Sequence, residues 1–192
     1  MKKEYSKRFY VLVKTVSSGL MKAIYNAEVI GSENIPAEGP IVLAGNHTSM
    51  LDIPLVWYAS SRHVRFLAKK EIFDVPVVSK MGHMVGAIPI DRDKLDLQAV
   101  RDSIKLLRNG EVLGIFPEGT RNKNDELLPF HPGATNLAIK TKALVVPFGI
   151  SGEFHLNSKI TIRFGEAMQF AGYQNDEATE CLKSKILELK RR

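Results

Sequence analysis

The sequence predicts an α/β fold: one domain with a largely parallel or mixed central sheet flanked by helices, preceded by an amphipathic helix. Three observations carry this. Short apolar runs at 41–44, 112–116 and 144–149 read as buried strands. Between them lie segments with apolar residues at helical spacing, most clearly Leu97, Val100, Ile104 and Leu107. Strands that alternate with helices build a parallel sheet, because a parallel pair needs a long crossover that a helix supplies.

Taken in order, residues 5–26 place Phe9, Leu12, Val13, Val16, Leu20, Ala23 and Ile24 on one side of a helical wheel, with Lys7, Lys14, Ser18 and Lys22 on the other. Such a helix either packs on a core with its basic face in water or lies in a membrane interface. A short strand follows at 27–31. Residues 32–40 form a connection rich in turn formers, with Pro36, Gly39 and Pro40. Strand 41–45 delivers His47. A helix over 52–60 starts at Asp52 with Pro54 in its first turn, and its Trp57 and Tyr58 are packing residues. Strand 64–68 ends at Lys69 and Lys70. A short helix occupies 74–85, after Pro76.

Strand 86–90 ends at Asp91 and Arg92. The clearest helix spans 93–109, with Asp93 as N-cap and Gly110 as its stop. Strand 112–116 leads into Glu118, Gly119, Thr120 and Arg121. Residues 122–128 are loop-like, 132–142 helical and 144–149 a strand. Residues 160–164 alternate, which predicts a half-buried strand near a sheet edge. A last helix over 176–190 turns Leu182, Ile186 and Leu189 inward, and its basic end suits a helix C-terminus.

With 192 residues and no repeat or linker, the chain forms one core. Its net charge of +6 favours anionic partners. Lys and Arg are dispersed and aromatics make up only 8%, which argues against a nucleic-acid binder built on stacking aromatics. The single Cys181 excludes an internal disulfide and fits a reducing compartment; a buried thiol is expected. No apolar stretch approaches the roughly 20 residues that cross a bilayer. Lys14 and Lys22 interrupt the N-terminal apolar region, so no signal peptide is expected. No Cys/His spacing resembles a zinc site, and His63, His83, His131 and His155 have no evident partner.

Two stretches carry chemistry. In Asn46-His47-Thr48-Ser49-Met50-Leu51-Asp52, a His and an Asp stand five positions apart, directly after a strand. At about 100° per residue one helix would not bring them to one face. A loop carrying His47 and a helix starting at Asp52 would. The carboxylate then accepts from one imidazole nitrogen and leaves the other free to take a proton. The plainer alternative is a loop histidine beside a helix N-cap. In Phe116-Pro117-Glu118-Gly119-Thr120-Arg121, Gly119 lets backbone N–H groups face an anion and Arg121 adds a planar cationic fork. The alternative is an ordinary turn with a solvated Arg.

The order of these two stretches with Gly86-Ala87-Ile88-Pro89-Ile90-Asp91-Arg92 and Val145-Val146-Pro147-Phe148-Gly149 resembles the four sequence blocks of the glycerolipid acyltransferase family, of the 1-acyl-glycerol-3-phosphate acyltransferase type. The resemblance spans about 29–165. The second block departs from the family, with Ile88-Pro89-Ile90 where an aromatic residue more often precedes Ile-Asp-Arg.

The resemblance implies acyl transfer from a thioester, carried by coenzyme A or acyl carrier protein, to the hydroxyl of a lysophosphatidate-like acceptor. His47 would be the base and Asp52 its orienter. Glu118, Gly119, Thr120 and Arg121, with Arg92 and Lys69, would hold the acceptor phosphate. No metal or resident cofactor is implied. Lipid substrates favour a membrane-interface role for residues 1–26, with 27–192 as the acyltransferase domain, and a peripheral place on the cytoplasmic face of the membrane. The rivals are a hydrolase that uses the same pair on water, an acyltransferase for another lysolipid or for glycerol 3-phosphate, and a non-catalytic binder of anionic membranes.

Overall fold

The computed structural model describes residues 5–156 and 158–192. The described strands are β1 (Glu28–Ile30), β2 (Ile41–Gly45), β3 (Val64–Lys69), β4 (Ile88–Ile90), β5 (Val112–Ile115), β6 (Leu144–Ser151) and β7 (Thr161–Phe164). They form one sheet in the order β1-β7-β6-β2-β5-β3-β4. The five strands from β2 to β6 run parallel. β7 is antiparallel to β6, and β1 is parallel to β7. The sheet is therefore mixed, with a parallel body and a reversed edge.

The helices are α1 (Lys7–Ile24), α2 (Asp52–Ala59), α3 (Pro76–Met84), α4 (Leu97–Arg108), α5 (Gly133–Thr141) and α6 (Asn175–Arg191), with 3-10 turns at Ser32–Asn34 and Lys70–Asp74. β2 lies mid-sheet and is buried along its whole length, so its sequence is apolar without alternation. Its side chains nonetheless divide by parity. Ile41 and Leu43 join Leu55, Val56, Phe66 and Phe148 under α1 and α2. Val42 and Ala44 join Leu107, Leu113 and Leu182 under α4, α5 and α6. At Gly45 a Cβ would stand 2.2 Å from the Phe148 ring, so only glycine lets that ring cross the end of β2.

Three expectations are corrected. The N-cap of α4 is Asp96, not Asp93: its carboxylate accepts from the amides of Gln98 at 3.1 Å and Ala99 at 3.0 Å. Asp93 is occupied earlier, donating its amide to the Asp91 carboxylate. β7 is not half-buried. Thr161, Ile162 and Phe164 are all buried because β1 takes the edge position outside it.

The helix α1 does not divide cleanly into apolar and lysine faces. It turns Tyr10, Ser17 and Met21 inward against the domain. Lys14 also turns in and donates to the Ser60 carbonyl at 2.5 Å. The predicted stripe is split: Leu12, Val16 and Leu20 point outward, with Leu12 59% and Val16 66% exposed, while Val13 packs partly on the core. Among the described residues no helix is long and apolar enough to cross a membrane.

Candidate active site

The parallel strands end on one rim, where ligand sites of open α/β sheets collect. β2 leaves that rim through Asn46. The Asn46 side chain is buried and doubly bonded to β6: it donates to the Ile150 carbonyl at 3.0 Å and accepts the Ile150 amide at 2.7 Å. This anchor ends the strand and sets the start of the loop that carries His47.

Asp52, the first residue of α2, is fully buried. Its Oδ2 accepts from His47 Nδ1 at 2.8 Å and from the amides of Thr48 at 2.6 Å and Ser49 at 2.8 Å. The Thr48 hydroxyl reaches Oδ1 at 3.2 Å. A carboxylate accepts, so Nδ1 is the protonated nitrogen and Nε2 carries the lone pair. The imidazole plane is set by stacking on Phe116, with centroids 4.0 Å apart and planes 12° apart, and Phe116 stacks in turn on Phe66. Loop and helix N-terminus thus wrap one carboxylate and present one free ring nitrogen.

The loop after β5 is bolted to this unit. Glu118 is buried; its Oε1 accepts the His47 amide at 3.1 Å, and its Oε2 accepts Asn122 Nδ2 and the Leu128 amide, both at 3.0 Å. The Asn122 amide returns a bond to the His47 carbonyl at 2.7 Å. Glu118 was expected among the phosphate-binding groups. Both of its oxygens accept hydrogen bonds inside the protein, and those bonds join the two loops.

The remaining expected residues line the open side of the rim. Gly119 has φ +67°, and a Cβ there would come within 3.0 Å of the His131 ring. Arg92 donates from Nη1 to the Gly119 carbonyl, which joins the end of β4 to the same loop. Thr120 and Arg121 are exposed, and Arg121 makes no ion pair among the described residues. Lys69, at the end of β3, is exposed and forms an ion pair with Glu71 at 3.7 Å. Lys70 is committed to Asp91 at 2.5 Å, and this bond holds the Asp91 carboxyl below the usual carboxylate range. A cavity of 390 Å³ opens beside Thr48 and Ser49 on the β6 side, bordered by Lys123, Ile150, Phe154 and His155.

The structure therefore joins Asp52 to His47, His47 to Glu118, and Arg92 to Gly119 of the same loop, and leaves Thr120, Arg121 and Lys69 open to solvent on the same rim. Sequence reasoning did not single out Asn46, Phe116 and Asn122. The signal was present for the first two, since each sits where a buried strand ends beside a chemically active residue. Asn122 carried no such mark.

The model of the acyltransferase family matches residues 26–151. The 1-acyl-sn-glycerol-3-phosphate acyltransferase of Bacillus subtilis is 31% identical over 175 residues, which cover 84% of this chain and 87% of that protein. The protein of the same name from Borreliella burgdorferi is 26% identical over 179 residues, 83% of this chain and 70% of that protein. The crystal structure of the 1-acyl-sn-glycerophosphate (LPA) acyltransferase PlsC from Thermotoga maritima aligns with a TM-score of 0.78 at 26% identity, over 95% of this chain and 80% of that one. A His-Asp pair on the rim of this α/β sheet and a family match over most of the chain agree, and the chain belongs to the acyltransferase family.

Proposed function

We propose that this chain is a 1-acylglycerol-3-phosphate O-acyltransferase: it moves a fatty acyl group from an acyl thioester to the sn-2 hydroxyl of lysophosphatidate, giving phosphatidate for phospholipid synthesis. The observation that carries this is the His47–Asp52 bond of 2.8 Å, with Nε2 left free on a rim where Arg121 and Arg92 make no ion pair among the described residues.

His47 Nε2 takes the hydroxyl proton as the oxygen attacks the thioester carbonyl. Asp52 stabilises the resulting imidazolium. The tetrahedral intermediate collapses, the C–S bond breaks, and the imidazolium returns the proton to the departing thiolate. The alcohol is itself the nucleophile, so no covalent enzyme intermediate forms, and the pair does what the His and Asp of a serine-hydrolase triad do. Arg121, Arg92 and Lys69 hold the acceptor phosphate, with the amides of Thr120 and Arg121, which have no acceptor among the described residues. Glu118 keeps the base in place. Helix α1 rests on the cytoplasmic face of the membrane as a peripheral anchor.

The test is an acyl-transfer assay that pairs acyl-CoA and acyl carrier protein donors with lysophosphatidate, glycerol 3-phosphate and neutral lysolipids, with products identified by mass spectrometry. Phosphatidate as the dominant product, from either donor, is expected. Transfer only to acceptors without a phosphate, or free fatty acid as the only product, would overturn it.

A further inference from the structure

We propose that α3 and the 3-10 turn before it form a second lipid-inserting surface, so that the chain meets an anionic bilayer on two separate elements rather than on α1 alone. A surface helix in water hides its apolar residues. α3 does the reverse. Of its nine residues only Ser79 is buried, while Val77 is 68% and Met81 47% exposed, and Val78 is exposed beside them. Ile72 and Val75, which lead into the helix, are exposed as well. The neighbouring α4, attached to the same edge of the sheet, buries Ala99, Leu106 and Leu107 in the usual way.

Two further facts identify the occupant. First, α3 adjoins α1: the Ser6 amide at the start of α1 donates to the Met84 carbonyl at the end of α3, at 3.0 Å. The two elements that expose apolar side chains, Leu12 and Val16 on α1 and Val77, Val78 and Met81 on α3, are thus neighbours in the fold. Second, the outward charges are mainly cationic: Lys7, Arg8, Lys22 and Lys80 on α1 and α3, against Glu71 and Asp74 in the 3-10 turn, with Glu71 paired to Lys69. A second copy of the chain docked on this face would set like charges against each other. Anionic lipid accepts both the apolar residues and the cations. The 3-10 turn that leads into α3 begins directly after β3, at the rim that carries Lys69, so lipid contact at this turn falls beside the site.

The experiment measures binding to vesicles of phosphatidylcholine with and without phosphatidylglycerol. It compares the full chain, the pair Val77→Glu with Met81→Glu, and the pair Val16→Asp with Leu20→Asp. The wild type should bind the phosphatidylglycerol vesicles, and each pair should lose about tenfold or more of that binding, since one apolar side chain kept out of lipid is worth at least about a decade. A Val77→Trp variant, which does not rely on disruption, should gain fluorescence quenching by brominated lipid over the wild-type background of buried Trp57.

Undiminished binding by the α3 pair together with no added quenching in Val77→Trp would overturn the second surface. So would self-association of the wild type, abolished by the α3 pair, without vesicle binding. The α3 pair should still acylate a short-chain, water-soluble acceptor at the wild-type rate. Absence of transfer by the wild type would count against the enzymatic reading and leave the vesicle result standing.

Discussion

The two halves of the site are held in opposite ways. The half with His47, Asp52 and Glu118 is buried, and Asp52 and Glu118 each accept at least three hydrogen bonds from the protein. The half with Thr120, Arg121 and Lys69 is exposed and scarcely bonded. The contrast separates two tasks. A proton-transfer geometry is useful only if it is already in place when the substrate arrives. A headgroup site must let a hydrated phosphate enter, so its cations stay in water until then. Damage to the first half should therefore appear in kcat, and damage to the second in acceptor KM.

The largest expected effect is on the base. His47→Ala and Asp52→Asn should each reduce kcat by about 10²–10⁴-fold, with thermal unfolding retained as a cooperative transition. Near wild-type turnover in a folded His47→Ala protein would remove the contrast altogether.

Glu118→Gln sharpens it. The amide keeps one acceptor oxygen but sets an NH₂ against the donors Asn122 and Leu128, and an unsatisfied buried donor costs about 1–3 kcal/mol. The variant should lose about tenfold to a hundredfold in kcat through displacement of the His47 loop, with a lower Tm and no matching rise in acceptor KM. A rise in KM alone would return Glu118 to the headgroup side.

On the open half, Arg121→Ala should raise KM for phosphate-bearing acceptors by about ten- to a hundredfold, the worth of one charged hydrogen-bonding group, with little change in kcat. Arg121→Lys should recover only part, because a point charge lacks the planar fork. Steady-state kinetics across acceptors with and without phosphate read this directly.

The smallest effect tests burial away from the site. His63 is held by Tyr5 through a 2.5 Å hydrogen bond and lies against the Tyr10 ring. Burial, with Arg65, Lys14 and Lys7 nearby, lowers its pKa from 6.5 to about 4. The unfolded chain therefore takes up this proton at higher pH than the folded one. Stability is intact above about pH 6.5 and declines as pH falls from there toward 4. His63→Phe should flatten that decline in Tm, by only a few degrees, because the ring is part-exposed and screened. An identical pH profile in the variant would place the loss elsewhere.

Much of the fold was legible because its signals are local. Each strand from β2 to β6 is a short apolar run, and each helix after it carries its own spacing or turn formers. The misassigned cap of α4 shows the limit: Asp93 and Asp96 are equally good caps by sequence, and the turn around Asp91 selects the second. In the same way, nothing in the alternation of residues 160–164 reveals that β1 lies outside β7.

The His47–Asp52 pair was legible in the sequence, because a strand end followed by a helix start can bring residues five apart together; the alternative of a loop histidine beside a helix N-cap was closed only by the 2.8 Å bond. The role of Glu118 was decided only by the tertiary structure: its bond to the His47 amide joins positions 71 apart, and that depends on β5 pairing beside β2. The helix faces followed the same division. The apolar spacing of α1 was readable, but whether Leu12 and Val16 or Tyr10 and Met21 face the domain depended on the body they pack against, as did the outward turn of α3. Periodicity records that a helix has a face, and packing decides which way it points.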